Sequence, residues 1–147
     1  MATSYDKIFP RFLRKIEDKD LSKLEDEELQ EELIDILESA MAYIEMNNVS
    51  IKGNSLERDN ETQEFLEDLS STEQEIISMY MVVAWYEPKI NSLETTLMIV
   101  GSREERWTSQ KEHMNTLITA RDYWLSEASK YVLKYGMRNN SYVKRNG

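Results

Sequence analysis

Residues 70–97 read SSTEQEIISMYMVVAWYEPKINSLETTL, and this stretch decides the fold. Ser70-Ser71-Thr72-Glu73 fits a capping box, in which a side-chain oxygen serves orphan amides and an acid three residues on reaches back. From about Thr72 to Glu87 almost every residue is apolar: Ile76, Ile77, Met79, Tyr80, Met81, Val82, Val83, Ala84 and Trp85. A helix of that composition is buried on most sides, so it needs other helices around it. Pro88 is expected to end or kink it. Ile90, Leu93, Leu97 and Met98 continue the pattern towards Gly101, a candidate C′ residue. Trp85 lies on the apolar stripe and is expected to be buried.

Outward from this block the same logic finds more helices. Upstream, Glu25 or Asp26 to Met46 carries Leu29, Leu33, Ile36, Leu37, Ala40, Tyr43 and Ile44 at three- and four-residue steps, a continuous apolar stripe. Its acidic first turn suits the positive end of the helix dipole, and its opposite face is acidic: Glu28, Glu31, Glu32, Asp35, Glu38 and Glu45. Further upstream, Tyr5–Ile16 places Ile8, Phe9, Phe12, Leu13 and Ile16 on one face, with Pro10 in the first turn. Between the two blocks, Asn47 to Asn60 is the longest break, without periodicity, and is a candidate functional loop. After it, Phe65, Leu66 and Leu69 are placed to fold back on the core. Downstream, Ser109-Gln-Lys-Glu112 reads as a second capping box. It would open a last helix whose stripe is Met114, Leu117, Ile118, Trp124, Leu125, Ala128, Tyr131, Val132 and Tyr135, closed by Gly136. Leu125 is expected to be buried with Trp85.

Composition agrees with an all-α chain. Among 147 residues there are 4 Gly, 2 Pro and no Cys, which leaves out disulfides, thiol nucleophiles and thiolate metal sites. The opening MATSYDKIFPRF has no basic region leading into an apolar run and does not read as a signal peptide. The most apolar stretch, Ile76–Ile99, is broken by Glu87, Lys89 and Glu94, so it reads as core, not membrane span. The net charge of −10 opposes general binding to nucleic acid or anionic membranes. That charge is unevenly spread. Residues 1–75 hold 21 acids and 8 bases, a net of −13, and residues 76–147 hold 7 acids and 10 bases, a net of +3. After Ala128 every charge is positive: Lys130, Lys134, Arg138, Lys144 and Arg145.

Catalytic chemistry finds no foothold. His113 is the one histidine, and with no other histidine and no cysteine it reads as an ordinary helix-face side chain. A di-iron bundle needs Glu-x-x-His on two helices, whereas Gln110 stands three before His113. The abundant carboxylates sit on charge-dense amphipathic helices as a solvated face, not as a glycosidase pair in an apolar cleft. No phosphate loop or nucleophile elbow is present. The expectation is a non-enzyme with no cofactor and no metal.

Several blocks carry a family resemblance: YDKIFPRFLRKIEDKDLSKL, EDEELQEELIDILESAMAYI, TEQEIISMYMVVAWYEPKINSLETTL and SQKEHMNTLITARDYWLSEASKYVLKYG. They resemble the small helical head–tail connector (adaptor, or head-completion) proteins of tailed bacteriophages of Gram-positive hosts. The resemblance covers most of residues 5–136, and its most specific piece is the apolar helix broken by Pro88 and followed by Lys-Ile-Asn-Ser-Leu. The loop Val49–Asn60 departs from it. The resemblance implies a homo-oligomeric ring, usually of twelve copies, attached beneath the portal protein. Such a ring would extend the DNA channel to a tail-side neck protein in the virion, after assembly in the host cytoplasm. It also implies portal docking through the C-terminal part.

The expectation is therefore an antiparallel bundle of four to five helices over residues 1–136 with a C-terminal docking tail, 137–147. Tyr135, Met137, Arg138, Tyr142, Val143, Lys144 and Arg145 are the candidate portal-docking residues, since interfaces favour Tyr, Met and Arg. Glu28, Glu31, Glu32, Asp35 and Glu38 are a candidate channel-lining or neighbour-facing surface, along which double-stranded DNA would pass without specific binding. The alternative is a small acidic regulatory module of the DNA-mimic or anti-repressor type, which would be a monomer or dimer.

Overall fold

The computed structural model describes residues 2–16, 24–49, 51, 57–100 and 105–139. It is an all-α bundle with four helices among the described residues: α1 (Phe9–Lys15), α2 (Asp26–Met46), α3 (Ser71–Val100) and α4 (Glu105–Asn139). A 3-10 turn, Tyr5–Lys7, precedes α1, and Pro10 sits in the first turn of α1, where its missing N–H costs nothing. The capping box at the head of α3 forms as read: Glu73 N–H donates to Ser70 Oγ at 3.2 Å, and Ser70 N–H donates to Glu73 Oε1 at 2.9 Å.

Helix α3 is the spine. One side of it receives α1 and α2, and another receives α4 along its length. At 30 residues it is about 45 Å long, and α4, at 35 residues, about 52 Å. The core gathers around the first half of α3: Ile76, Ile77, Met81 and Val82 meet Phe12 from α1 and Leu33, Leu37, Met41 and Ile44 from α2. Tyr43 and Tyr80 stack at 5.3 Å between ring centroids.

A three-stranded antiparallel patch closes the base of this core. Its strands are β1 (Thr3–Ser4), β2 (Arg58–Asp59) and β3 (Glu64–Phe65), in the order β1-β3-β2. Thr3 pairs with Phe65, and Phe65 with Arg58. The turn between β2 and β3 forms because Asp59 Oδ1 accepts the Glu61 and Thr62 N–H groups, an Asx turn. Part of the expected functional loop Asn47–Asn60 is thus structural: Val49 and Ile51 are buried in the core, and Arg58–Asp59 is a strand. Phe65 and Leu69 fold back on the core as expected, while Leu66 is exposed.

Pro88, expected to end or kink the helix, lies inside α3, which continues past it to Val100; its ring is on the exposed side, where the carbonyl it leaves unbonded can meet water. Three expectations are corrected. The last helix starts by Glu105, ahead of the Ser109 box, and runs through Gly136 to Asn139. A Cβ built on Gly136 would meet nothing within 4 Å, so the glycine is tolerated within the helix and is not a C′ stop. Trp85 and Leu125 are half-buried against the core, and Trp85 stands where grooves towards α2 and towards α4 both open to solvent.

Candidate functional site

Two faces carry the candidate residues. The first is the outward side of α2, where Glu28, Glu31, Glu32 and Asp35 are exposed, followed along the same side by Ala42 and Met46. The helix from Asp26 to Met46 contains no Lys, Arg or His. Its buried side, Leu33, Leu37, Ala40 and Ile44, faces the core; the 3.6-residue period turns Glu28 and Glu31 to the other side, while Glu32 and Asp35 border a groove shared with Trp85, Pro88 and Lys89 of α3.

Glu38 leaves this row, a correction to the expected acidic face. Arg58 Nε donates to its Oε1 at 2.8 Å, and Arg58 Nη2 donates to Oε2, a bidentate pair. Asn60 Nδ2 also donates to Glu38 Oε1 at 3.2 Å, and Tyr5 O–H donates to Asn60 Oδ1 at 2.6 Å. The Arg58 hydrogen bond holds the Glu38 carboxyl below its usual range. Burial pushes the Tyr5 phenol up to about 12. Four residues from three elements thereby tie α2, the strand patch and the N-terminus together. This network locks the fold and offers no reactive group to solvent.

The second face is the C-terminal half of α4. Tyr135 is half-buried, and its O–H donates to Glu73 Oε2 at 3.2 Å, joining the α3 capping box. Glu73 itself is 1% exposed. Tyr135 and Met137 line an open groove of about 440 Å³ together with Thr72, Tyr131 and Lys134. Met137 is 62% exposed. Arg138 falls in the last turn of α4. Tyr142, Val143, Lys144 and Arg145 lie outside the described residues.

Sequence reading missed a further stripe on α4. Tyr123, Leu133 and Met137 are large, apolar and more than half exposed, with Lys130 and Lys134 exposed between them. Tyr123 and Leu133 lie opposite Ala128, the one fully buried residue of the helix among those described, while Lys134 and Met137 border the groove shared with Thr72 of α3. Tyr123, Lys130 and Met137 stand at seven-residue steps, and that was the available signal.

Elsewhere the structure offers pairs without chemistry. Glu75 takes Lys15 at 2.6 Å and Arg11 at 3.7 Å, fastening α1 to α3, and Arg121 reaches Glu87 at 3.1 Å across α3 and α4. His113 is exposed at the rim of a groove of about 510 Å³ beside Trp85, Pro88 and Leu117. Among the described residues no group of three or more His, Asp or Glu is placed to hold a metal ion, and no helix is long and apolar enough to cross a membrane. No protein-family model, curated protein or solved structure matches this chain.

Proposed function

We propose that this chain is a structural virion protein, a head–tail connector that forms a ring under the portal and extends the DNA channel to the tail. The resemblance of its helical blocks to that family motivates the reading, and one observation carries it. Helix α4 is 35 residues long, yet a single residue of its described length is fully buried. Trp124, Leu125, Tyr131 and Val132 pack half-buried on the core, and the rest of this length is an exposed side that a partner can cover. The groove at Tyr135 and Met137, with the basic residues that follow, is the docking site for the portal. The acidic α2 face supplies the negative surface past which DNA would slide without being retained, since binding DNA depends on releasing counterions to cationic side chains.

The test is location. Purified tailed-phage particles carrying this protein should show it in the neck by cryo-electron microscopy. A variant ending at Gly136 should stay helical and give heads without tails. Infectious particles from that variant would sink the portal-docking role. A chain found only as a monomer bound to a DNA-binding protein would replace the reading with the regulatory one.

A further inference from the structure

We infer that the outward stripe of α4 docks on the acidic outward face of α2 in a second copy of this chain, in an antiparallel helix–helix contact. This deepens the connector reading and rests on it for the closed ring, but the contact itself follows from chemistry and placement.

The two faces are complementary in charge. Lys130 and Lys134 are exposed on α4, one turn apart, and Glu31 and Asp35 are exposed on α2, also one turn apart. Laid antiparallel, a single register puts Lys134 opposite Glu31 and Lys130 opposite Asp35. The same register sets Tyr123, 56% exposed, against Ala42, a small residue that leaves room for an aromatic ring. It also brings Leu133 against the aliphatic stem of Glu32. Lys130 already touches Glu127 at 3.2 Å, but an exposed pair three residues apart is weak and readily exchanged.

Placement decides that the contact is between copies. Helices α2 and α4 each pack on α3, and the residues of both stripes stay exposed in the single chain. Neither stripe of one chain is therefore covered by the other. The α2 face is not self-complementary, because acid would face acid. The charge-matched arrangement joins the α4 of one copy to the α2 of the next. Such a contact is heterologous, and it generates a ring when its rotation closes. Apolar side chains at Tyr123 and Leu133 supply the buried area, and the charges set register and partner.

The experiment is a charge swap on the full-length chain, read by sedimentation velocity with circular dichroism as the folding check. The wild-type chain should sediment well above the 17.4 kDa of one copy at low salt and shift towards it as salt rises. Glu31→Lys/Asp35→Lys alone and Lys130→Glu/Lys134→Glu alone should each fall to the single-copy mass with helicity unchanged. Mixed one to one, the two variants should reassemble, because each then offers the other a matched face. Combining all four changes in one chain should do the same. A wild-type chain that stays monomeric, a single double variant that assembles like wild type, or a mixture of folded variants that stays apart would each overturn the contact. The outcomes separate the two ideas. Restored assembly by a chain missing from phage necks keeps the contact and removes the connector role, and a neck ring indifferent to the swaps does the reverse.

Discussion

The first half of α3 and its second half are one continuous helix in two different environments, and the contrast explains how this molecule divides its work. From Ile76 to Val83 the helix is walled in by α1, α2 and α4, and its side chains are buried almost without exception. From Asn91 onward it has α4 for company and little else: Leu93 and Leu97 are half-buried, while Met98 and Ile99 are about four-fifths exposed. Stability therefore resides in the body, and the distal hairpin is a projecting arm.

The largest effects should fall in the body. Leu37→Ala or Ile77→Ala is expected to cost about 3–4 kcal/mol, since both are fully buried among side chains from several helices. Trp85→Ala should cost less, about 2 kcal/mol, because the indole is half-buried, with the Lys89 ammonium over its ring 4.6 Å from the centre. Urea melts of the three variants check the order. A Trp85 variant as damaging as the Leu37 variant would mean that the hairpin seam is sealed like the core.

The network at the base of the body is the next test. Arg58→Ala should cost about 1 kcal/mol, a modest figure because the Glu38 side chain is 39% exposed and water screens the pair. The pH dependence has a definite sign. The Glu38 carboxyl is lowered in the fold, so its contribution is complete above the ordinary carboxylate range and is lost as pH falls through the depressed value. Acid titration of stability should show a smaller drop in Glu38→Gln than in wild type. Identical acid profiles would show that the pair adds nothing.

Much of this was legible before any coordinates. The apolar steps of α2, the nearly all-apolar start of α3 and its Ser70–Glu73 box are local signals, and they translate directly into local structure. What failed to show depends on distant partners or on very short elements. Strands of two residues are too brief for an alternating pattern, so the patch of Thr3, Arg58 and Phe65 was invisible. Glu38 reads as one more surface acid until Arg58, twenty residues on, folds against it. The outward stripe of α4 was overlooked because a search for the core takes the stronger apolar face, here the one through Ala128, and stops.

Gly136 sharpens the comparison from the other end of α4. A glycine that ends a helix usually holds a positive φ, where alanine is strained; a glycine inside a helix only adds flexibility. Gly136 is of the second kind, with open space where a Cβ would sit. Gly136→Ala should therefore stabilise the protein by about 0.5–1 kcal/mol. A loss of stability in a thermal melt would restore the helix stop expected from sequence.

The smallest expected effect lies at the tip of the arm, where its smallness is informative. Met98 and Ile99 are 82% and 80% exposed, so replacing either with serine removes almost no apolar surface that folding hides from water. Stability should move by no more than about 0.5 kcal/mol, and solubility should rise, because two adjacent bare apolar side chains favour unplanned association. Hydrogen exchange gives the companion measurement. Amides from Asn91 to Ile99 should open at a free energy clearly below that of Ile76–Val83 although both belong to α3, since protection follows the buried contacts around each turn. If Met98→Ser costs as much as a core truncation, or if both halves of α3 exchange only with global unfolding, the arm is packed in solution against something that one chain does not contain. The concentration dependence of that protection would then reveal whether the cover is another copy.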